Sequence, residues 1–99
     1  MDVIALRQAE NIASHYLCDL GREIGVPLAV VKRRELPYEW LFFYNSSAYL
    51  KSGEVGTMLA GNAPFIVDVL DGSVHVLGTA HPVEIYLKEY EAARGQLNQ

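Results

Sequence analysis

Three side chains of this sequence have the chemistry of a hydrolytic site, namely Asp68, His75 and Cys18. A carboxylate can orient an imidazole as a general base, and such a base can activate a thiol. Asp68 and His75 lie on either side of a predicted turn, so we expect them to face each other across a β-hairpin. Cys18 belongs to a predicted helix that shows no activating neighbour. The alternative is a cross-strand polar pair, which contributes a few tenths to about 1 kcal/mol, and we favour it.

The familiar motifs of catalytic and metal sites are absent from the sequence. It has no glycine-rich phosphate loop, no closely spaced pair of cysteines and no HExxH pattern. Its histidines, His15, His75 and His81, fall in three different predicted elements, so no ligand spacing links them. A single cysteine cannot form an intramolecular disulfide. We therefore expect no metal, no cofactor and no catalysis.

The charge and hydropathy of the chain narrow the classes of partner. The net charge is −4, and the only basic run is Lys32-Arg33-Arg34, which is too short for a nucleic-acid-binding surface and predicts a solvated strand end. No apolar run approaches the roughly 18 residues of a membrane span. The first residues lack the apolar core of a signal peptide. We expect a cytoplasmic protein that binds neither nucleic acid nor membrane.

The stretch Gly61–Thr79 predicts a β-hairpin. Two apolar runs flank Asp71 and Gly72, a dipeptide suited to the positive φ angles of a two-residue type I′ turn. This loop would place Asp68 opposite His75. One face of the hairpin would carry Phe65, Val67, Val69, Val74 and Val76, and the other Ile66, Asp68, Leu70, Ser73, His75 and Leu77.

Hydrophobic periodicity predicts the remaining elements. They are a helix over Val3–Glu23 capped by Asp2, strands over Leu28–Arg34 and Trp40–Asn45, and a helix from Pro82 to Gly95. The inward stripe of the last helix is Val83, Tyr86, Leu87, Tyr90, Ala93 and Arg94. The order α-β-β-β-β-α predicts one α+β domain over residues 1–99. We expect a four-stranded antiparallel meander with the N-terminal and C-terminal helices on one face.

The connection over residues 46–62 has no regular pattern. It is long for so small a domain, which indicates either a functional segment or a locally structured one. Apolar anchors to the core are predicted at Tyr49, Leu50, Met58 and Leu59.

A possible contact surface follows from the predicted arrangement. Leu41 and Phe43 extend the hairpin face that carries Ile66, Asp68 and His75. With both helices on the other face, this face would be an exposed apolar patch with a polar centre, which is typical of protein interfaces. The alternative, that one helix or the 46–62 connection covers the face, stays open.

Several of these segments resemble a known family. The segments are WLFFY, LAGNAPFIVD, DGSVHVLGTA and HPVEIYLKEYE, and they span Trp40 to Glu91. In this order and spacing they resemble the YrhB-like family, also called the immunity protein 35 family. The resemblance covers about half of the chain, and the preceding helix and strand agree in order.

The resemblance implies a function that the residues alone do not. Members of the family are small α+β proteins, many inferred to be immunity proteins encoded beside polymorphic toxins. It therefore implies a non-enzymatic inhibitor that binds a cognate bacterial toxin and occludes its active site. The toxins of this family are often thought to be papain-like peptidases. The first alternative is a heat-stable, chaperone-like stress protein that holds unfolded clients. The second is the small hydrolase built on Asp68, His75 and Cys18.

The expected partner-binding residues combine the predicted face with the connection that leaves it. They are Leu41, Phe43, Tyr49, Asn62, Ile66, Asp68 and His75. A homodimer could use the same surface, in which case the toxin would have to bind elsewhere or displace the second copy.

Overall fold

The computed structural model describes residues 4–59 and 62–97, with side chains to residue 93. Its elements are α1 (Leu6–Ile24), β1 (Leu28–Glu35), β2 (Glu39–Ser46), α2 (Ser47–Ser52), a short 3₁₀ turn (Val55–Thr57), β3 (Phe65–Asp68), β4 (Val74–Val76) and α3 (Val83–Leu97). The strands form one antiparallel four-stranded sheet in the order β1-β2-β3-β4. The predicted α+β class and the strand meander are confirmed.

The ends of the two long helices differ from the predicted ones. α1 begins at Leu6 instead of Val3, and the Ala5 N–H donates to the Gln8 side chain at 2.7 Å. α3 continues through Gly95 to Leu97, because one glycine costs a helix only about 1 kcal/mol. The predicted cap at Asp2 and the first residue of the predicted hairpin stretch, Gly61, lie outside the described residues.

The two long helices pack on opposite faces of the sheet, so the prediction that they share one face is wrong. α1 packs on the face that carries Phe42 and Phe65, which belong to the larger core cluster. α3 packs on the opposite face, which carries Leu41 and Ile66 of a smaller cluster. The reason lies in the two central strands. All of Glu39–Phe42 and all of Phe65–Asp68 are buried, so both sheet faces exclude water and each needs its own layer.

Phe65 is the centre of the larger cluster. Its ring centroid lies 4.6 Å from that of Tyr16, 5.5 Å from Phe42 and 6.1 Å from Tyr44. Ala9 is fully buried against this cluster, and its small side chain lets α1 approach the sheet. Burial raises the pKa of Tyr44 above its usual value, and the nearby Tyr16 adds to the effect.

The β3–β4 hairpin has a four-residue loop, Val69–Gly72, so the predicted two-residue turn is wrong. Ile66 faces His75, and the Asp68 N–H donates to the Ser73 carbonyl at 3.0 Å. The backbone of Val69 is occupied elsewhere, because it donates to the Tyr38 carbonyl at 2.9 Å and accepts from the Ile4 N–H at 2.8 Å. The shift of two residues keeps each side chain on its predicted face.

Gly72 is the position in this loop that requires glycine, with a φ of +73°. A Cβ there would lie 2.9 Å from Ile12 Cδ1. We expect Gly72→Val to lower the free energy of unfolding by about 1–3 kcal/mol, measured by denaturant titration. Gly56→Val is the matched control, because Gly56 has open space around it and no positive φ. An equal loss in both variants would contradict this account.

Among the helices that the structure describes, none is both long enough and apolar enough to cross a membrane.

Candidate functional site

Leu41 and Ile66, two residues of the predicted contact surface, lie beneath α3. They face each other across β2 and β3, both are 0% exposed, and Leu87 packs on them. The expectation of an exposed apolar patch is therefore wrong at these two positions, and the alternative of cover by a helix holds there. Any role of these residues in binding a partner stays a prediction and would require α3 to move.

Phe43 marks the boundary of this covered face. Its side chain is half-buried at the edge of the α3 cluster, and the Lys32 ammonium lies 5.9 Å from the centroid of its ring. Beside it, Arg34 reaches Glu84 at the start of α3, at 3.5 Å. The margin between β1 and α3 thus combines an accessible aromatic ring with charged groups.

Asp68 belongs to a buried polar cluster at the end of the central strands. Its carboxylate accepts hydrogen bonds from the Tyr90 hydroxyl and, at 2.8 Å, from the Leu70 N–H. In the sheet register it faces Glu39, which is also buried. Hydrogen bonds offset the cost of burying a charged group. Asp68 therefore ties α3 to the hairpin loop and is not part of the open surface.

The sequence predicts that His75 faces Asp68, and this prediction is wrong. His75 lies exposed on β4, opposite Ile66. Its ring centroid is 5.1 Å from that of Tyr90, and its Nε2 lies 2.7 Å from Ser73 Oγ. The same hydroxyl donates to Asp71 Oδ1 at 2.6 Å. A hydroxyl has one hydrogen to donate, so His75 Nε2 is then the donor to Ser73. In that state the imidazole is not placed to act as a base toward this serine.

The three residues of the hydrolase hypothesis are not brought together. Asp68 and His75 line a cavity of about 370 Å³ between the β3–β4 hairpin and α3. Cys18 is exposed on α1, which packs on the other face of the sheet. The residues that line the cavity, other than those two, are Leu70, Asp71, Ser73, Tyr90 and Ala93. The cavity thus joins carboxylates, a histidine and hydroxyls, but no thiol.

Residues 46–59 are locally structured, as one of the two expectations for this connection states. Two polar side chains at the end of β2 hold its backbone. Asn45 Oδ1 accepts the Leu59 N–H at 2.9 Å, and Asn45 Nδ2 donates to the Leu59 carbonyl at 3.3 Å. Ser46 Oγ accepts the Tyr49 N–H at 3.0 Å, which caps α2. The backbone of the segment is therefore held by hydrogen bonds to the side chains of Asn45 and Ser46.

The apolar anchors predicted in this connection are only partly present. Tyr49 and Leu59 are half-buried, whereas Leu50 and Met58 are exposed. Val55, on the 3₁₀ turn, is the most exposed large apolar residue of the described part of the chain, at 74%. The connection thus presents apolar side chains to solvent on an ordered backbone.

Asn62 holds the return of the chain from the connection to β3. Its side-chain amide donates to the Tyr44 carbonyl, and the residue is half-buried. Of the predicted partner-binding residues, Phe43, Tyr49, Asn62 and His75 thus have accessible surface, whereas Leu41, Ile66 and Asp68 do not.

Sequence reasoning missed Glu39 and Tyr90 as members of the polar cluster. Glu39 falls just outside the predicted strand Trp40–Asn45, although it alternates with Leu41 and Phe43 and so shares their face. Tyr90 is predicted on the inward stripe of the last helix, but the sequence does not indicate that its hydroxyl meets a buried carboxylate.

Within residues 4–59 and 62–97, no group of three or more His, Cys, Asp or Glu side chains is arranged to hold a metal ion.

Comparison with known proteins gives two matches. The model of the family described as immunity protein 35 matches residues 7–93. The uncharacterized protein YrhB of Escherichia coli strain K12 is 39% identical over 89 residues, which covers 90% of each chain. No solved structure matches the chain. The family match extends the resemblance noted over Trp40 to Glu91 to most of the chain.

Proposed function

The chain belongs to the immunity protein 35 family, and on that premise we propose that it binds a cognate bacterial toxin and neutralises it. The observation that carries the proposal is the family match over residues 7–93. Neutralisation takes place in the cytoplasm and involves no catalysis by this chain. A preformed surface of the protein covers the active site of the toxin, so substrate cannot enter.

The ordered state of the 46–59 connection supports binding by a preformed surface. Its backbone is held by Asn45 and Ser46, so little conformational entropy is lost when a partner docks. It carries the exposed Val55 and the half-buried Tyr49, which offer apolar contact area beside polar groups. Accessible contacts are then expected from Phe43, Tyr49, Asn62 and His75, while the buried Leu41, Ile66 and Asp68 support the surface from below.

The test begins with the genes that flank this chain's own: a toxin domain encoded there is expressed in bacterial cells with and without the chain. Cells that express both proteins are expected to grow, and cells that express the toxin alone are expected to arrest. A papain-like peptidase domain is the first toxin class to assay, by its peptidase activity with and without the purified chain. Because inhibition is steric, activity should fall with a one-to-one stoichiometry.

Two variants separate inhibition from catalysis. In Cys18→Ala and in His75→Ala, protection should follow toxin binding, so that a variant that still binds the toxin still protects the cells, since occlusion needs neither a nucleophile nor a base. Loss of protection in a folded variant that still binds the toxin would contradict the proposal. Weak binding to many unfolded proteins, with no binding to the toxin domain, would favour the chaperone-like alternative instead.

A further inference from the structure

β1 is an outer strand of the sheet and leaves a long edge open. It spans Leu28–Glu35, whereas the strand at the opposite edge, β4, spans only Val74–Val76. In the part of the chain that the structure describes, β2 pairs with one side of β1 and no strand pairs with the other. An open edge presents backbone N–H and C=O groups to which a further strand can bind.

A groove runs between this edge and α1. It consists of two adjoining cavities, of about 620 and 230 Å³, which share Ser14 and Val30 in their walls. The α1 wall includes a stripe at four-residue spacing, Glu10, Ser14, Cys18 and Arg22, with Leu17 and Gly21 beside it. We call this feature the β1 groove.

The position of the groove relative to β1 follows from its lining. Leu28, Ala29 and Val30 all line the larger cavity. Neighbouring side chains of a strand point to opposite faces, so a cavity that meets three in succession reaches the strand edge. The smaller cavity is lined by Phe42 of β2 as well, so it lies over the face of β1 that α1 covers. A groove between an edge strand and a helix is the geometry in which an extended peptide adds to a sheet.

The charge of β1 indicates which extended segment fits. The net charge of the chain is −4, yet Lys32, Arg33 and Arg34 follow the apolar half of β1. Arg33 contacts Glu10 at 2.5 Å, but both side chains are nearly half exposed, so the ion pair is weak and can be exchanged. Acidic side chains of an added strand would meet these cations, while its apolar side chains would enter the groove beside Leu28–Val30.

We propose that the open edge of β1 binds an extended segment of the toxin, apolar at one end and acidic at the other, as a fifth strand of the sheet. The proposal rests on the proposed function for its partner and adds a second contact surface to the one on the 46–59 connection. Backbone hydrogen bonds along β1 hold the segment, and the β1 groove and the three cations select its sequence.

The edge also carries features that exclude other strands. The pairing of β1 with β2 is irregular at Val31, between Val30 and Lys32, which twists the edge there. The bulge limits regular pairing with any added strand to the residues on either side of it, whereas the lysine hinders strands that bring no carboxylate. A second copy of this chain would bring its own Lys32–Arg34 to the same edge and add like charges. A strand with carboxylates opposite the cations avoids that repulsion, so the edge discriminates by charge.

The first experiment tests the edge without the toxin. The probe is a synthetic peptide in which a threonine–glutamate repeat is followed by a threonine–valine repeat, because a strand antiparallel to β1 meets the cations with its N-terminal half. We expect its addition to slow the reaction of Cys18, the only thiol of the chain, with a thiol reagent, and to perturb the amide NMR signals of β1. The control peptide replaces each glutamate by lysine and should have neither effect. Equal effects, or none, from the two peptides would overturn the charge selection.

The second experiment uses the toxin domain and two variants with the same change of charge. Lys32→Glu should weaken toxin binding at least about tenfold, while Lys88→Glu, on the exposed side of α3, should change it less than twofold. Hydrogen exchange should slow over residues 28–35 in the complex. Lys32 is exposed, so Lys32→Glu should fold, and circular dichroism checks this. Lys32→Gln removes the charge without reversing it and should lower the toxin affinity by a smaller factor.

The possible results separate this inference from the proposed function. If the unmodified chain binds the toxin but β1 gains no protection, the inference fails and the function stands. If the chain does not bind the toxin, the function fails, and with it the assignment of the partner. Protection of β1 that rises with the concentration of the chain alone would show that a second copy covers the edge, which would also overturn the inference.

Discussion

Ile66→Asp is expected to leave the chain unfolded in water. Ile66 is 0% exposed, faces Leu41 in the sheet and lies under Leu87, so no water reaches the new carboxylate. Burying a polar or charged group without partners costs several kcal/mol. A domain of this size has a total stability of about 5–15 kcal/mol, so the loss takes most or all of it.

The matched control for this variant is Val76→Asp, on the neighbouring strand β4. Val76 is 56% exposed, so the same new carboxylate stays hydrated and should cost less than about 1 kcal/mol. Circular dichroism and denaturant titration of both variants decide the matter. A folded Ile66→Asp variant would mean that α3 leaves the sheet easily, and the face beneath it would again be a candidate contact surface.

Phe65→Ala is expected to lower the free energy of unfolding by about 3–5 kcal/mol. The Phe65 ring is 0% exposed and contacts the rings of Tyr16, Phe42 and Tyr44, which come from α1 and β2. Its removal takes apolar area out of the core and leaves a cavity that these three rings cannot fill without moving. The variant should fold at low temperature with a reduced denaturation midpoint.

Phe43→Ala is the comparison for Phe65→Ala, since it deletes the same atoms at a half-buried position. Its loss should be less than half as large, because part of the ring is already in contact with water. Similar losses in the two variants would contradict the placement of the core around Phe65. Phe43→Ala is also the informative variant for partner binding, because its ring is accessible and its removal leaves the core intact.

The cover formed by α3 changes where a partner is sought. The predicted surface centres on Leu41 and Ile66, but these side chains contact α3 instead of solvent. The apolar surface that is accessible lies on the 46–59 connection and along β1, at Val55 and Val31 among others. Variants on these two segments therefore test partner binding without first testing stability.

The sequence by itself determined the order of the two long helices and the four strands, the α+β class and the face on which each hairpin residue lies, but not α2 or the 3₁₀ turn. Strand side chains alternate, and the runs around Phe65 and Val74 are regular enough to separate the two faces. A shift of two residues in the pairing therefore left that separation intact. The family resemblance was also available from the sequence, because it depends on residue types and spacing alone.

Only the tertiary structure decided the loop length of the hairpin, because Val69 pairs with the backbone of Tyr38 and Ile4, both distant in the chain. It also decided that α3 covers the second face, since apolar periodicity shows that a helix has an inward side but not which layer it meets. The buried contact of Tyr90 with Asp68 depends on that placement. The local sequence indicates which secondary structure and which face a residue favours. The loop length, the position of α3 and the contact of Tyr90 with Asp68 depend instead on contacts between residues that are distant in the chain.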